Sequence, residues 1–275
     1  MIDPSTSQRM ALMLGHPGHE LRVFRWMELT RPLTFVLTDG SGSTGQSRLD
    51  STTELLRRIG APCGSIYGRL TDGDAYRAIL GRDAGLFVGL AEELAAAFER
   101  EGIDGVGGDA IEGYNPVHDV CRLVLNAAVD LASGRTRRPL LNLEFLLVGR
   151  PDACPEPLRD QATWIHLDEA ALERKLSAAR GYPELAAEVD AAIKAHTTKA
   201  FQIECLRPVS DADRQYHFGE ETPYYERYGE GRMDAGLYHE VIRYREHLLP
   251  LADALRRHVE GTREAARGTP PRGSA

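Results

Sequence analysis

The stretch 11–20 reads ALMLGHPGHE, and its short apolar run stops abruptly at His16. A second run of the same kind, LTFVLT at 33–38, stops at Asp39-Gly40. Both runs are too short for helices and are bounded by turn residues, which is typical of buried strands in a parallel sheet. The segment between them is predicted to be helical. The chain therefore begins with a predicted strand–helix–strand unit.

The same alternation continues through the first half of the chain. Further strands are predicted at 63–68, 102–109 and 141–149, and helices at 49–59, 83–101 and 117–133. Strands that alternate with helices in this way form a parallel sheet with helices on both faces. We therefore predict an α/β, Rossmann-like three-layer fold with a mostly parallel sheet.

The second half differs in character and is predicted to be a helical C-terminal extension of the same fold. Its predicted elements are helices at 167–180, 182–196 and 235–259, the last broken near Pro250, a strand at 199–209 and a loop at 219–232. We predict one domain over 1–265, with a core at about 10–150 and the extension at about 151–262. The tail, 263–275, is expected to be disordered.

Composition excludes several classes of protein. Of the 275 residues 41 are acidic and 33 basic, a net charge of −8, which argues against a nucleic-acid partner. No apolar run approaches the ~20 residues of a membrane span, and the N-terminus lacks a secretory pattern. Four scattered cysteines predict reduced thiols in a cytoplasmic protein and exclude a zinc ribbon. The oligomeric state is left open.

Histidines follow the predicted strands at one edge of the sheet. His16 and His19 are three residues apart and share one face of a turn, and His118 lies on another loop that returns to that edge. Three protein ligands with an open fourth position are typical of catalytic zinc. We predict a Zn²⁺ site at His16, His19 and His118; the alternative is that they are capping and solvent-facing side chains.

A competing motif lies beside this edge. The sequence GSGSTG at 40–45 matches the dinucleotide fingerprint G-x-G-x-x-G. It follows the second predicted strand rather than the first, and no acidic residue stands convincingly ~20 positions further on. A nucleotide-binding Rossmann protein is therefore the less favoured alternative, and no nucleotide cofactor is predicted.

The motifs together resemble the PIG-L/LmbE-type N-acetylglucosaminyl deacetylases, which are zinc hydrolases. That family has Ala-His-Pro-Asp-Asp-Glu after its first strand, where this chain has GHPGHE at 15–20. Leu-Thr-Asp-Gly follows its second strand, as at 37–40 here, and its later His-x-Asp-His motif resembles NPVH at 115–118. The resemblance covers roughly the first 150 residues, and the chain is identified as a divergent member with HPGH in place of HPDD.

The resemblance implies roles for five residues. His16 and His118 match zinc histidines, and His19 stands where the family has a ligating Asp. Gly18 replaces the Asp that acts as general base, and glycine cannot do so. Asn115 replaces a histidine that stabilises the oxyanion, a role that an amide NH₂ can fill. A three-histidine zinc site would also be a stronger Lewis acid, with a bound water that titrates near pH ~7.

With the usual base absent, another carboxylate must carry the proton. Glu112 is the preferred candidate because it shares a loop with His118, and Asp109, at a strand tip, is the second. Asp39 and Glu20 are further candidates, although a turn former and a helix-start carboxylate are their simpler roles.

The predicted function is zinc-dependent removal of an N-acetyl, or other N-acyl, group from a sugar or glycoconjugate. The tyrosines and carboxylates of FGEETPYYE, 218–226, suit either a sugar site or a packed loop. The alternative from another class is a non-catalytic sugar- or partner-binding relative that has lost its base at Gly18.

Overall fold

The computed structural model describes residues 8–42, 44–210, 214 and 216–268, and in this part of the chain seven strands form one sheet. In chain order they are β1 (Met10–Leu14), β2 (Leu33–Thr38), β3 (Cys63–Leu70), β4 (Gly105–Asp109), β5 (Leu141–Phe145), β6 (Thr163–His166) and β7 (Ile203–Pro208). Their order across the sheet is β3-β2-β1-β4-β5-β7-β6. The first five are mutually parallel, and β7 runs antiparallel to both β5 and β6.

Helices cover both faces of this sheet. They are α1 (Phe24–Thr30), α2 (Leu49–Ile59), α3 (Asp72–Leu80), α4 (Ala84–Glu101), α5 (Pro116–Thr136), α6 (Glu169–Arg180), α7 (Ala186–His196), α8 (Tyr224–Asp234) and α9 (Leu249–Gly268). Short 3₁₀ turns occupy His19–Val23, Glu156–Gln161, Pro183–Leu185 and Thr198–Gln202, and a π-helical turn, Tyr244–Leu248, precedes α9.

Strand β1 is buried on both faces, which explains its unbroken apolar sequence. Ala11 and Met13 pack into the core layer formed with α4, α5 and α9. Leu12 and Leu14 point to the opposite layer, formed with α1 and α2. Every residue of the strand is buried, as expected for a parallel strand between two helical layers.

The sheet changes direction between β1 and β4. The chain moves from β1 to β2 on one side and later returns to β4 on the other, which makes a topological switch point. Ligands of open α/β sheets bind at the carboxyl ends of the strands at such a point. Close packing there explains the glycines of β4, because a Cβ at Gly108 would lie 2.7 Å from Met13 O and 2.8 Å from Arg122 Nη2.

The extension is tied to the core by a buried ion pair. Glu204, on β7, is fully buried and accepts hydrogen bonds from the backbone N–H groups of Arg25 and Trp26, at 2.9 Å each. Lys175, on α6, lies 2.8 Å from the same carboxylate. One buried carboxylate therefore joins α1, α6 and β7.

Within the described residues, no helix is long and apolar enough to cross a membrane.

The predicted fold class is confirmed, but several elements of the second half differ from expectation. The predicted loop 219–232 is wrong, since α8 occupies most of it. Two glycines and few apolar residues weaken its intrinsic helical signal, and packing stabilises the helix instead. The predicted helix 235–259 begins later, at the π-helical turn. Strand β6 and helix α3 were not predicted. Helix α9 continues to Gly268, into the predicted tail, and 269–275 lie outside the described residues.

Candidate metal centre

Three histidines converge at the switch point. His16 follows β1, His19 opens the next 3₁₀ turn and His118 lies in the first turn of α5. The ring centroids are 5.2, 4.9 and 4.6 Å apart in the three pairs. One nitrogen from each ring lies within 4.8 Å of the other two, and both His16 and His118 are buried. This is the spacing expected of side chains that bind one ion.

The start of α5 directs His118 into the cluster. Asn115 is the N-cap, and its Oδ1 accepts a hydrogen bond from Val117 N at 2.8 Å. Pro116 occupies the first helical position, where its lack of an N–H has no consequence. His118 is therefore held in the first turn, facing the ends of β1 and β4.

A buried carboxylate orients His19. Asp109 Oδ2 lies 2.8 Å from His19 Nδ1 and also accepts a hydrogen bond from Gly15 N at 2.7 Å. Burial alone would raise the pKa of Asp109, but the neighbouring His19 and His118 bring it below its ordinary value. An ionised Asp109 places the imidazole proton on Nδ1. It thereby leaves Nε2 of His19 free to bind a metal, as in carboxylate–histidine–zinc arrangements.

His16 faces a second buried carboxylate that was not predicted. Asp72 Oδ1 lies 3.4 Å from His16 Nε2, and Asp72 Oδ2 accepts a hydrogen bond from Gly42 N at 2.7 Å. Neither Asp72 Oδ1 nor His16 Nδ1 has a hydrogen-bond partner, although both are buried. The available signal was its position, because Asp72 follows the carboxyl end of β3 just as His16 follows β1.

The donor set fits zinc. Burial lowers the pKa of both His16 and His118 well below the ordinary value, and the neighbouring His19 lowers both further. Neutral imidazoles are the form that binds metals. Two carboxylates, Asp109 and Asp72, lie next to the imidazoles of His19 and His16. Within this site, His16 Nδ1 is a buried atom without a hydrogen-bond partner that an ion would satisfy.

Gly18 lies where the resembled family has its base, and its backbone conformation disfavours any side chain there. Its φ is +101°, a left-handed conformation that favours glycine. A Cβ at this position would lie 2.3 Å from Leu185 Cδ1. Its N–H donates at 2.8 Å to Glu20, whose other oxygen accepts from the Tyr182 hydroxyl. Glu20 therefore stabilises this turn through its two hydrogen bonds. Its burial raises the pKa of its carboxyl group.

The other predicted carboxylates lie further from the histidines. Glu112 Oε2 accepts from Leu147 N at 2.7 Å, and both of its oxygens accept from Val148 N at 3.1 Å. Burial raises the pKa of Glu112 to about 7, but no contact joins it to a histidine among the described residues. Asp39 Oδ1 accepts from Ser41 N and, at 3.3 Å, from Asp72 N, so it positions Asp72.

Three backbone N–H groups of the glycine-rich loop 40–45 already have hydrogen-bond acceptors. Ser41 N donates to Asp39, Gly42 N to Asp72 and Gly45 N to the Ser41 carbonyl. Ser43 lies outside the described residues. A phosphate-binding loop instead presents free N–H groups to its ligand. The described part of this loop therefore contacts Asp72 beside the candidate metal centre and gives no support to nucleotide binding.

Asp119, next to His118, stabilises the loop between β4 and α5. Its Oδ1 accepts from the N–H groups of Glu112 and Gly113 at 3.3 Å each, and Tyr216 donates its hydroxyl to Oδ2 at 3.1 Å. Burial raises the pKa of Asp119 to about 7. The folded protein thus retains a proton that the unfolded chain loses near pH ~4.

This raised pKa predicts a pH-dependent stability. Between pH ~4 and about 7 the unfolded chain binds fewer protons than the folded protein, so the free energy of unfolding falls as pH rises. Asp119→Asn should remove part of this dependence, and the similar titration of Glu112 should remain. Urea unfolding of the metal-free protein at pH 5 and pH 8 measures it. An identical pH difference in wild type and variant would contradict the assignment.

Comparison with known proteins yields structural likeness only. No model of a protein family matches the chain, and no curated protein does. The zinc-inhibited form of teicoplanin deacetylase Orf2 superposes with a TM-score of 0.50 at 15% identity, covering 74% of this chain and 99% of that one. The A40926 pseudoaglycone deacetylase Dbv21 (TM-score 0.46, 16% identity, 74% and 97% covered) and a triple mutant of Orf2 (0.45, 15%, 74% and 99%) also match. The likeness to the first structure shows the fold.

Proposed function

We propose that the protein is a zinc-dependent hydrolase that removes an N-acetyl, or other N-acyl, group from a sugar or glycoconjugate. The observation that carries the proposal is the convergence of His16, His19 and His118 at the switch point. The sequence motifs support the same conclusion. The structure that this chain resembles is that of a teicoplanin deacetylase in a zinc-inhibited form, and this resemblance is compatible with the proposal.

Residues around the proposed zinc site have separate roles in orienting the ligands and stabilising the oxyanion. A bound zinc ion would supply Lewis acidity toward the amide carbonyl and the attacking water. Asp109 keeps His19 in the tautomer that binds the ion. The Oδ1 of Asn115 accepts from Val117 N, and its NH₂ group is the donor that would stabilise the developing oxyanion.

We assign the proton transfer to Asp72 rather than to Glu112. Asp72 Oδ1 lies beside His16 and has no hydrogen-bond partner, so it is free to take a proton from water and return it to the departing amine. Glu112 is held by the backbone N–H groups of Leu147 and Val148. Asp109 is already engaged by His19 and Gly15 and therefore serves as a positioning residue.

One observation favours the alternative of a binding protein without activity. Gly18 has no side chain, and Leu185 occupies the space in which one would lie. Gly18→Asp would therefore strain the backbone and clash with Leu185, so the variant is not a clean restoration of the base.

Release of free amine distinguishes the two functions. Metal-free protein reconstituted with zinc should release amine from N-acetylglucosamine oligosaccharides, and chelation should abolish the release. Saturable binding of the same sugars by zinc-loaded protein, without any amine release, would instead support the binding protein.

A further inference from the structure

Half of the tyrosines of this chain lie exposed beside the metal centre. Five of the ten are between 36% and 47% exposed: Tyr76, Tyr114, Tyr224, Tyr228 and Tyr238. Isolated exposed aromatics are ordinary, but a contiguous group marks a surface that binds something. We call these five residues the tyrosine rim.

Stacked rings lead from the metal centre along α8. Tyr114 directly precedes Asn115, and its ring lies 5.0 Å from that of Tyr224 with planes 5° apart. Tyr224 in turn stacks on Tyr228 at 5.9 Å and 28°. The start of α8 is fixed to the same loop by a hydrogen bond of 3.1 Å from Tyr225 N to the carbonyl of Gly113.

Tyr76 connects the tyrosine rim with α3, the helix that begins at Asp72. It lies one helical turn after Asp72 on α3, so the two side chains share a face. Partial burial and, to a smaller extent, the neighbouring Tyr238 and Asp72 raise the pKa of Tyr76 to about 12, whereas the Asn115 side chain lowers it. Tyr76 therefore lies near Asp72 and Asn115, and the rim borders the segments that carry these two residues beside the histidines.

An arginine without a carboxylate partner lies within the rim. The guanidinium carbon of Arg232 is 5.9 Å from the ring centre of Tyr228 and 5.6 Å from that of Tyr238. Its Nε is buried and has no hydrogen-bond partner. Nearby Arg243 is paired with both Glu226 and Glu230. In a chain with a net charge of −8, an arginine that none of the described carboxylates neutralises is available for a ligand.

We propose that Arg232, flanked by Tyr228 and Tyr238, binds an anionic oxygen group of the substrate, a carboxylate or a phosphate, away from the scissile amide. Guanidinium presents paired donors that match such groups. The stacked rings of Tyr114 and Tyr224 would hold the flat face of the sugar between this anchor and the metal. The inference rests on the proposed function, which it narrows to acidic glycoconjugates.

Binding to metal-free protein tests the inference independently of turnover. The probes are three N-acetylated sugars: neutral chitobiose, the hyaluronan disaccharide with its carboxylate, and UDP-N-acetylglucosamine with its phosphates. Calorimetry should give a Kd for at least one acidic probe about 10–100-fold below that of chitobiose, the usual effect of a charged hydrogen-bonding partner. Which acidic probe binds more tightly distinguishes carboxylate from phosphate.

Matched variants locate the effect. Arg232→Gln should remove the preference for acidic probes and leave chitobiose binding unchanged, whereas Arg232→Lys should keep most of it. Arg227→Gln, an exposed arginine on the same helix, is the control and should change nothing. Equal affinities of all three probes for the wild type, or an unchanged preference in Arg232→Gln, would overturn the inference. Absence of amine release alone would count against the proposed function instead.

Discussion

Replacing His118 by alanine is expected to abolish zinc binding in a protein that otherwise holds about one zinc ion per chain. The ring of His118 lies 4.9 Å from that of His16 and 4.6 Å from that of His19, so it closes the triangle of ligands. Removing it leaves two protein ligands, which loses most of the affinity of such a site. Elemental analysis after dialysis against a weak chelator measures the zinc content.

Two further substitutions make the zinc experiment specific. His16→Ala should have the same effect as His118→Ala, because each removes one of three ligands. His166→Ala, at the exposed end of β6, should leave zinc content unchanged. Circular dichroism should show that all three variants remain folded, because the chain buries a large core without the ion. Full zinc occupancy in both His16→Ala and His118→Ala would show that the ion binds elsewhere.

The positioning of the three histidines could be predicted because it depends on short-range signals. An apolar run that ends at a turn residue marks a strand end, and parallel strands bring such ends to one edge. His16 and His118 therefore needed only the strand order to be brought together. The glycines of β4 weakened its pattern, yet its placement between two helices was enough to identify it.

The parts that could not be predicted depend on contacts between distant segments. Asp72 begins a short helix, α3, that the sequence did not reveal, and its approach to His16 depends on how α3 packs. Leu185, more than 150 positions after Gly18, lies where a side chain at Gly18 would begin. Helix α8 is held by Tyr225 against Gly113 rather than by its own propensity. None of these contacts leaves a periodic trace in the sequence.

Asp72→Asn is expected to lower turnover by about 10²–10⁴-fold, the usual contribution of a general acid–base group. The amide keeps the size of the side chain, and its oxygen can still accept the hydrogen bond from Gly42 N. What it loses is the ability to carry a proton at the oxygen that faces His16. Zinc content should be unchanged, because Asp72 is not one of the three ligands. Amine release under saturating substrate, with zinc measured on the same sample, provides the test.

Three comparisons test whether Asp72 carries out the proton transfer. Asp74→Asn, in the same helical turn but exposed and paired with Arg77, removes the same charge and should leave turnover unchanged. Glu112→Gln should also have little effect, since that carboxylate is bound by the backbone of 147–148. A large loss in Glu112→Gln with none in Asp72→Asn would move the role to Glu112 and require its loop to rearrange on binding substrate. Near-full activity in both variants would mean that neither carboxylate carries the proton. A zinc ion held by the three histidines would then have to supply the acidity that activates the water.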